Sequence, residues 1–151
     1  MTIKKNIKTI IMGLLIVTMG ALFYQETRAI NKETTETGPL KDDFGILLRK
    51  GEHLKVAVRT AEEVQNNPKF NRGRFEIIVC GKEVEKLKKG SELTDTLEKA
   101  KEMGVEVKAC GISLQKFGVS TSSLQPGIEV IPNGLMRAFE LEKEGYLMIE
   151  L

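Results

Sequence analysis

Short apolar runs alternate along this chain with amphipathic stretches of helical period, and that alternation is its strongest signal. Phe44-Gly-Ile-Leu-Leu48 is a compact apolar run bounded by charge, the size of a buried strand. In the next stretch Lys55-Val-Ala-Val-Arg59 alternates like a strand, but Leu54, Ala57, Val58, Ala61 and Val64 recur at helical spacing over three turns. The longer period predicts a helix that ends before Pro68. Phe75-Glu-Ile-Ile-Val-Cys80 predicts a second strand. Residues 91–103 then predict a helix with Leu93, Leu97, Ala100 and Met103 on one face, Ser91 as its N-cap and Gly104 as its stop. Val105 to Cys110 is a third strand, followed by a short helix, and Ile128 to Ile131 is a fourth. A helix capped by Asn133 runs to about Glu144, and Tyr146 to Leu151 closes the chain as a fifth strand.

Strands alternating with helices through short connections predict a parallel sheet covered on both faces, a three-layer α/β/α arrangement of five strands. Roughly 110 ordered residues suffice for a single core whose buried area comes mostly from the Ile, Leu and Val of the sheet. Such a core needs no cofactor to stand.

The N-terminus follows a different rule. Lys4, Lys5 and Lys8 precede an uncharged apolar run from Ile10 to Phe23, the layout of an export signal. Residues 1–29 are therefore expected to be a signal peptide, cleaved after Thr27-Arg28-Ala29, or an N-terminal membrane anchor. Residues 30–43 are polar, broken by Gly38-Pro39, and read as a linker; residues 44–151 form the domain. Positive charge before the apolar run holds that end in the cytoplasm, so the domain is expected to be exported, periplasmic or anchored facing outward. Contact with the membrane is expected through this segment alone.

Composition narrows the function. With 29% charged, 41% hydrophobic and 5% aromatic residues the chain is neither disordered nor fibrous. One histidine and two cysteines make a metal site unexpected, and a lack of Trp removes an aromatic platform for bases. The net charge is only +2, and Lys4, Lys5, Lys8 and Arg28 against Glu26 account for it. The domain is thus near neutral, which argues against nucleic acid as a partner.

The two cysteines carry the candidate chemistry. Ligands of open parallel sheets gather beyond the carboxyl ends of the strands, and Cys80 and Cys110 both fall there, each followed by a glycine. Gly81 and Gly111 let the backbone turn tightly and approach a small ligand. The amides of Ile112 and Ser113, opening the next helical turn, would favour a thiolate at Cys110. The competing reading is that either cysteine packs as a small hydrophobe. Gly134, after Pro132-Asn133, could help a helix N-terminus receive an anion but reads first as ordinary capping, Lys82 to Lys89 reads as a solvated face, and His53 as a surface residue.

The run from Phe75-Glu-Ile-Ile-Val through Ala109-Cys-Gly-Ile-Ser-Leu114 and Pro126-Gly-Ile-Glu-Val-Ile-Pro-Asn-Gly134 to Glu144-Gly-Tyr-Leu-Met-Ile149 resembles the DsrE/DsrF family of sulfur-relay proteins. The resemblance covers residues 44–151 and implies a DsrEFH-like fold, flavodoxin-like in general architecture, that assembles into homo- or hetero-oligomers. It implies a persulfide on Cys110, the cysteine just after strand three, with sulfur donor and acceptor proteins or polysulfide as partners. Cys80 receives no role from it, but if strands two and three are neighbours the two thiols lie on strands roughly 5 Å apart. The best-known relay proteins work in the cytoplasm, whereas this N-terminal segment predicts export.

Three functions compete. The first is an exported sulfur carrier using Cys110, the second a non-catalytic oligomeric binding module with an inert Cys110, and the third a thiol-redox protein using a Cys80–Cys110 pair.

Overall fold

A computed structural model describes residues 40–49 and 53–151. The expected signal or anchor and most of the expected linker lie outside the described residues. Five strands, β1 (Asp42–Leu48), β2 (Arg72–Val79), β3 (Val105–Cys110), β4 (Glu129–Ile131) and β5 (Leu147–Glu150), form one sheet in the order β4-β3-β2-β1-β5, with every pairing parallel. The helices are α1 (His53–Gln65), α2 (Thr94–Glu102), α3 (Gly111–Lys116) and α4 (Gly134–Lys143), and 3₁₀ segments span Gly81–Leu87 and Thr121–Ser123. The expected α/β class, with its five-stranded parallel sheet, is what the fold shows.

Alternation along the strands sorts side chains to two unlike faces. Phe44, Ile46 and Leu48 of β1, Phe75, Ile77 and Val79 of β2, and Val105, Val107 and Ala109 of β3 point to one side. There they pack with Leu54, Ala57, Val58 and Ala61 of α1, Leu97 and Ala100 of α2, Leu114 of α3, and Val84 and Leu87. The second face carries Leu47, Ile78, Cys80, Cys110 and Ile131, covered by Leu141 of α4 and by Tyr146. Its covering helix is fastened by charge: Arg137 of α4 donates from Nε and Nη2 to both carboxylate oxygens of Glu76, each at 3.0 Å. Glu76 sits in the middle of β2 and is 2% exposed.

Five local expectations are corrected. β1 begins at Asp42, inside the expected linker, and β2 begins three residues before Phe75. These polar ends extend together because Asp43 accepts from the Arg74 amide at 2.5 Å and pairs with its guanidinium, while Asp42 accepts from the Asn71 amide at 2.8 Å. Ser91 does not cap α2: its hydroxyl donates to the Lys86 carbonyl at 2.6 Å, its own carbonyl receives the Thr94 amide, and α2 starts at Thr94. Lys82 to Lys89 is not simply a solvated face, because its 3₁₀ turn buries Glu83, Val84 and Leu87. His53 is half-buried, with a buried Nδ1.

Candidate functional site

The register of β2 on β3 aligns Val79 with Ala109, so Cys80 and Cys110 follow side by side at the two strand ends. Each begins a helical segment, the 3₁₀ turn after Cys80 and α3 after Cys110. The chain can turn out of β2 because Gly81 adopts φ +67°, and a Cβ there would lie 2.8 Å from the Arg49 carbonyl.

Donors converge on Cys110 Sγ from three directions. The Gly134 amide, one of the free N–H groups that open α4, donates to it at 3.3 Å. The Ser113 hydroxyl and amide and the Cys80 thiol also favour the charged form of Cys110 by hydrogen bonding. The Ser113 hydroxyl is itself held in place, its oxygen accepting from the Gly81 amide at 2.9 Å. Burial opposes ionisation of Cys110, but these donors outweigh it and leave the thiol below its ordinary pKa. Cys80 moves the other way. Burial, then the charge and hydrogen bond of Cys110, push it up to about 12. The two thiols are therefore pushed in opposite directions, and Cys110 is the one that receives the Gly134 amide.

Gly134 fits this site in a second way. A Cβ at this position would lie 2.4 Å from Cys80 Sγ, 2.9 Å from Ile78 Cγ2 and 3.2 Å from Cys110 Cβ. Only glycine brings the α4 amide that close to both thiols. Asn133 holds the end of the helix, its side-chain oxygen accepting from Leu135 at 3.0 Å and from Met136 at 3.5 Å.

Above the sulfurs opens a cavity of about 350 Å³, lined by Cys80, Gly81, Cys110, Ile112 and Ser113 together with Arg49, Lys116, Phe117, Asn133 and Leu135. Cys80, Cys110, Gly81, Ile112 and Ser113 are thus brought together at one cavity. Gly111 is not among the lining residues; a Cβ there would face the backbone carbonyls of Ile131 and Pro132 at 3.1 and 3.3 Å. Its glycine serves the close passage of β3 against the β4–α4 connection. The charged residues that line it are the cations Arg49 and Lys116. Arg49 also donates to Glu150 at 3.0 Å across the exposed rim.

Sequence reasoning missed Gly134 as a thiol ligand and Arg49 and Leu135 as walls, since each comes from an element distant in sequence, and it missed Phe117, which closes the helix that Cys110 begins. Pro132-Asn133-Gly134 is the visible signal, a helix N-terminus that an anion or an ordinary cap would equally use. Lys108, two residues before Cys110, is tied to Glu129 at 2.5 Å and Glu106 at 2.8 Å instead of reaching the thiol. Among the described residues no group of His, Cys, Asp or Glu could hold a metal ion, and no helix is long and apolar enough to cross a membrane.

Comparison with protein families matches residues 69–151 to the DsrE/DsrF-like family. No curated protein matches the chain. Among solved structures, a protein of unknown function from Methanobacterium thermoautotrophicum is 20% identical with a TM-score of 0.63, covering 74% of this chain and 100% of its own. A conserved protein of unknown function from Bacteroides thetaiotaomicron is 18% identical with a TM-score of 0.55, covering 73% and 95%. At these identities the likeness is one of fold.

Proposed function

We propose that this chain, which belongs to the DsrE/DsrF-like family, is an exported sulfur carrier that holds sulfane sulfur as a persulfide on Cys110. Proteins of the family work in sulfur relay with partners. The observation that carries the reading to this residue is the convergence of Gly134 and Ser113 donors on Cys110 Sγ at the floor of a cavity. A thiolate, not a thiol, is the attacking species in sulfur exchange, and these donors favour that form of Cys110.

In the loading step the Cys110 thiolate attacks the terminal sulfur of a donor persulfide or polysulfide. A new S–S bond forms at Cys110, the donor's S–S bond breaks, and the donor leaves as a thiolate. In the discharge step an acceptor thiolate attacks the outer sulfur, takes it, and returns Cys110 as thiolate. Cys110 is only 4% exposed, so the added sulfur extends the reactive atom outward into the cavity. Arg49 and Lys116 line its path and favour an anionic donor such as polysulfide. The N-terminal basic-then-apolar segment supports action outside the cytoplasm, to be tested by cell fractionation.

Intact-mass spectrometry of the purified protein after incubation with polysulfide tests the reading. The expected result is a reducible gain of one sulfur that is lost in Cys110→Ser and kept in Cys80→Ser. No gain in any form favours the non-catalytic binding module.

A further inference from the structure

Both cysteines stand at one cavity floor, and the carrier role uses one of them. Cys80 is 7% exposed, lines the same cavity, and occupies the space that the missing Cβ of Gly134 leaves free. The parallel register places it directly beside Cys110 on the neighbouring strand. Adjacent strands bring Cα atoms to about 4.8 Å, inside the 4.4–6.8 Å span that a disulfide bridges. Both thiols point to the same face of the sheet, where they pack with Ile78 and Ile131.

Resting on the carrier reading above, we infer that Cys80 is a resolving thiol: it attacks the inner sulfur of a Cys110 persulfide, expels the sulfane sulfur as hydrosulfide, and leaves a Cys80–Cys110 disulfide. The bond that breaks joins the inner and outer sulfurs of the persulfide; the bond that forms joins Cys80 Sγ to Cys110 Sγ. The proton of the Cys80 thiol leaves with the outer sulfur. The outer sulfur departs reduced, and the two cysteines remain oxidised as a disulfide. A dithiol reductant, small or protein-borne, returns the pair to the thiol state before another round.

The arrangement explains an order of events. With Cys80 pushed toward its protonated form and Cys110 toward its thiolate, an incoming donor meets Cys110 as the readier nucleophile. Loading moves the negative charge from the inner sulfur to the outer one, which removes the charge that helps keep Cys80 protonated. Cys80 then faces an electrophilic sulfur in place of an anion. A partner thiol that arrives sooner takes the sulfur as persulfide; without one, the protein releases it as sulfide. The second cysteine thus makes the chain a sulfane-sulfur reductase as well as a carrier.

The test follows the purified full chain anaerobically after loading with polysulfide and removal of excess donor, by intact mass and by trapping of released sulfide. In the wild type the one-sulfur adduct should decay to a species two hydrogens lighter than the reduced protein, with one equivalent of sulfide. Cys80→Ser and Cys80→Ala should keep the adduct and lose the sulfide release. A wild-type adduct that persists with no lighter species overturns the resolving role while leaving Cys110 as a carrier. Failure of every form to take up sulfur overturns both readings. The wild-type time course decides without any variant, so a folding defect in the substitutions leaves the result intact.

Discussion

The two faces of the sheet do different work with different materials. One is an apolar layer in which β1, β2 and β3 meet α1, α2, α3 and the Gly81–Leu87 turn through aliphatic and aromatic side chains. The other has one helix, α4, laid over a central carboxylate, a tethered lysine and two thiols. Full apolar cover supplies stability but leaves no room for a reactive group. A single helix held by a bidentate Arg137–Glu76 pair leaves both an open end and a free amide, and Cys110 uses both.

Substitutions on the two faces should therefore separate stability from thiol chemistry. Ile77 is fully buried on the apolar face, and Ile77→Ala should cost about 2–5 kcal/mol in urea unfolding. The pH profile of Cys110 alkylation should stay in place in that variant; a large shift would break the division. Glu76→Gln removes the charge that fastens α4. Arg137 keeps Glu140 and Glu144 at 3.4 and 3.0 Å, so the cost should fall to roughly 1–3 kcal/mol, below that of a fully buried pair. Here the alkylation profile should move to higher pH, because the Gly134 amide one turn away loses its anchor.

Gly134→Ala sharpens the comparison at the thiols themselves. Its Cβ meets Cys80 Sγ, and overpacking of this kind costs about 1–3 kcal/mol. Adding Cys80→Ala should recover part of that loss in a double-mutant cycle, while strict additivity would contradict the contact. Ser113→Ala removes a donor to Cys110 and the acceptor of the Gly81 amide, with an expected cost of about 1 kcal/mol. The smallest effect is in pH. Cys110 is depressed in the folded state, so the stabilisation from its thiolate is complete above the ordinary thiol pKa of about 8.5 and fades as pH falls through the folded value. Wild-type stability relative to Cys110→Ser should accordingly rise with pH across that window.

Much of the fold was legible because parallel strands buried on both faces read as short aliphatic runs, as Ile77-Ile78-Val79 does, while Val105 to Cys110 shows the strand period by alternating Val105, Val107 and Ala109 with Glu106 and Lys108. Strand beginnings were not, since Asp42 and Arg72 are polar and the carboxylate contacts that hold these ends together, Asp42 to Asn71 and Asp43 to Arg74, have no local signature. The Lys82–Lys89 segment concealed Val84 and Leu87, two apolar positions at 3₁₀ spacing among charges. At the site, Cys80 and Cys110 stood out by falling at strand ends before glycine. Gly134, 24 positions from Cys110, becomes its hydrogen-bond donor only when β4 joins the sheet beside β3.

The most direct test of a thiolate held beneath a single helix is the rate of Cys110 alkylation against pH, read site by site by mass spectrometry, in the wild type and in Ser113→Ala. The account predicts an inflection below the ordinary thiol pKa of about 8.5 in the wild type, moving upward in the variant, with Cys80 unreactive across neutral pH. An inflection at or above the ordinary value in both forms would show that the amides and hydroxyl around Cys110 do not activate it.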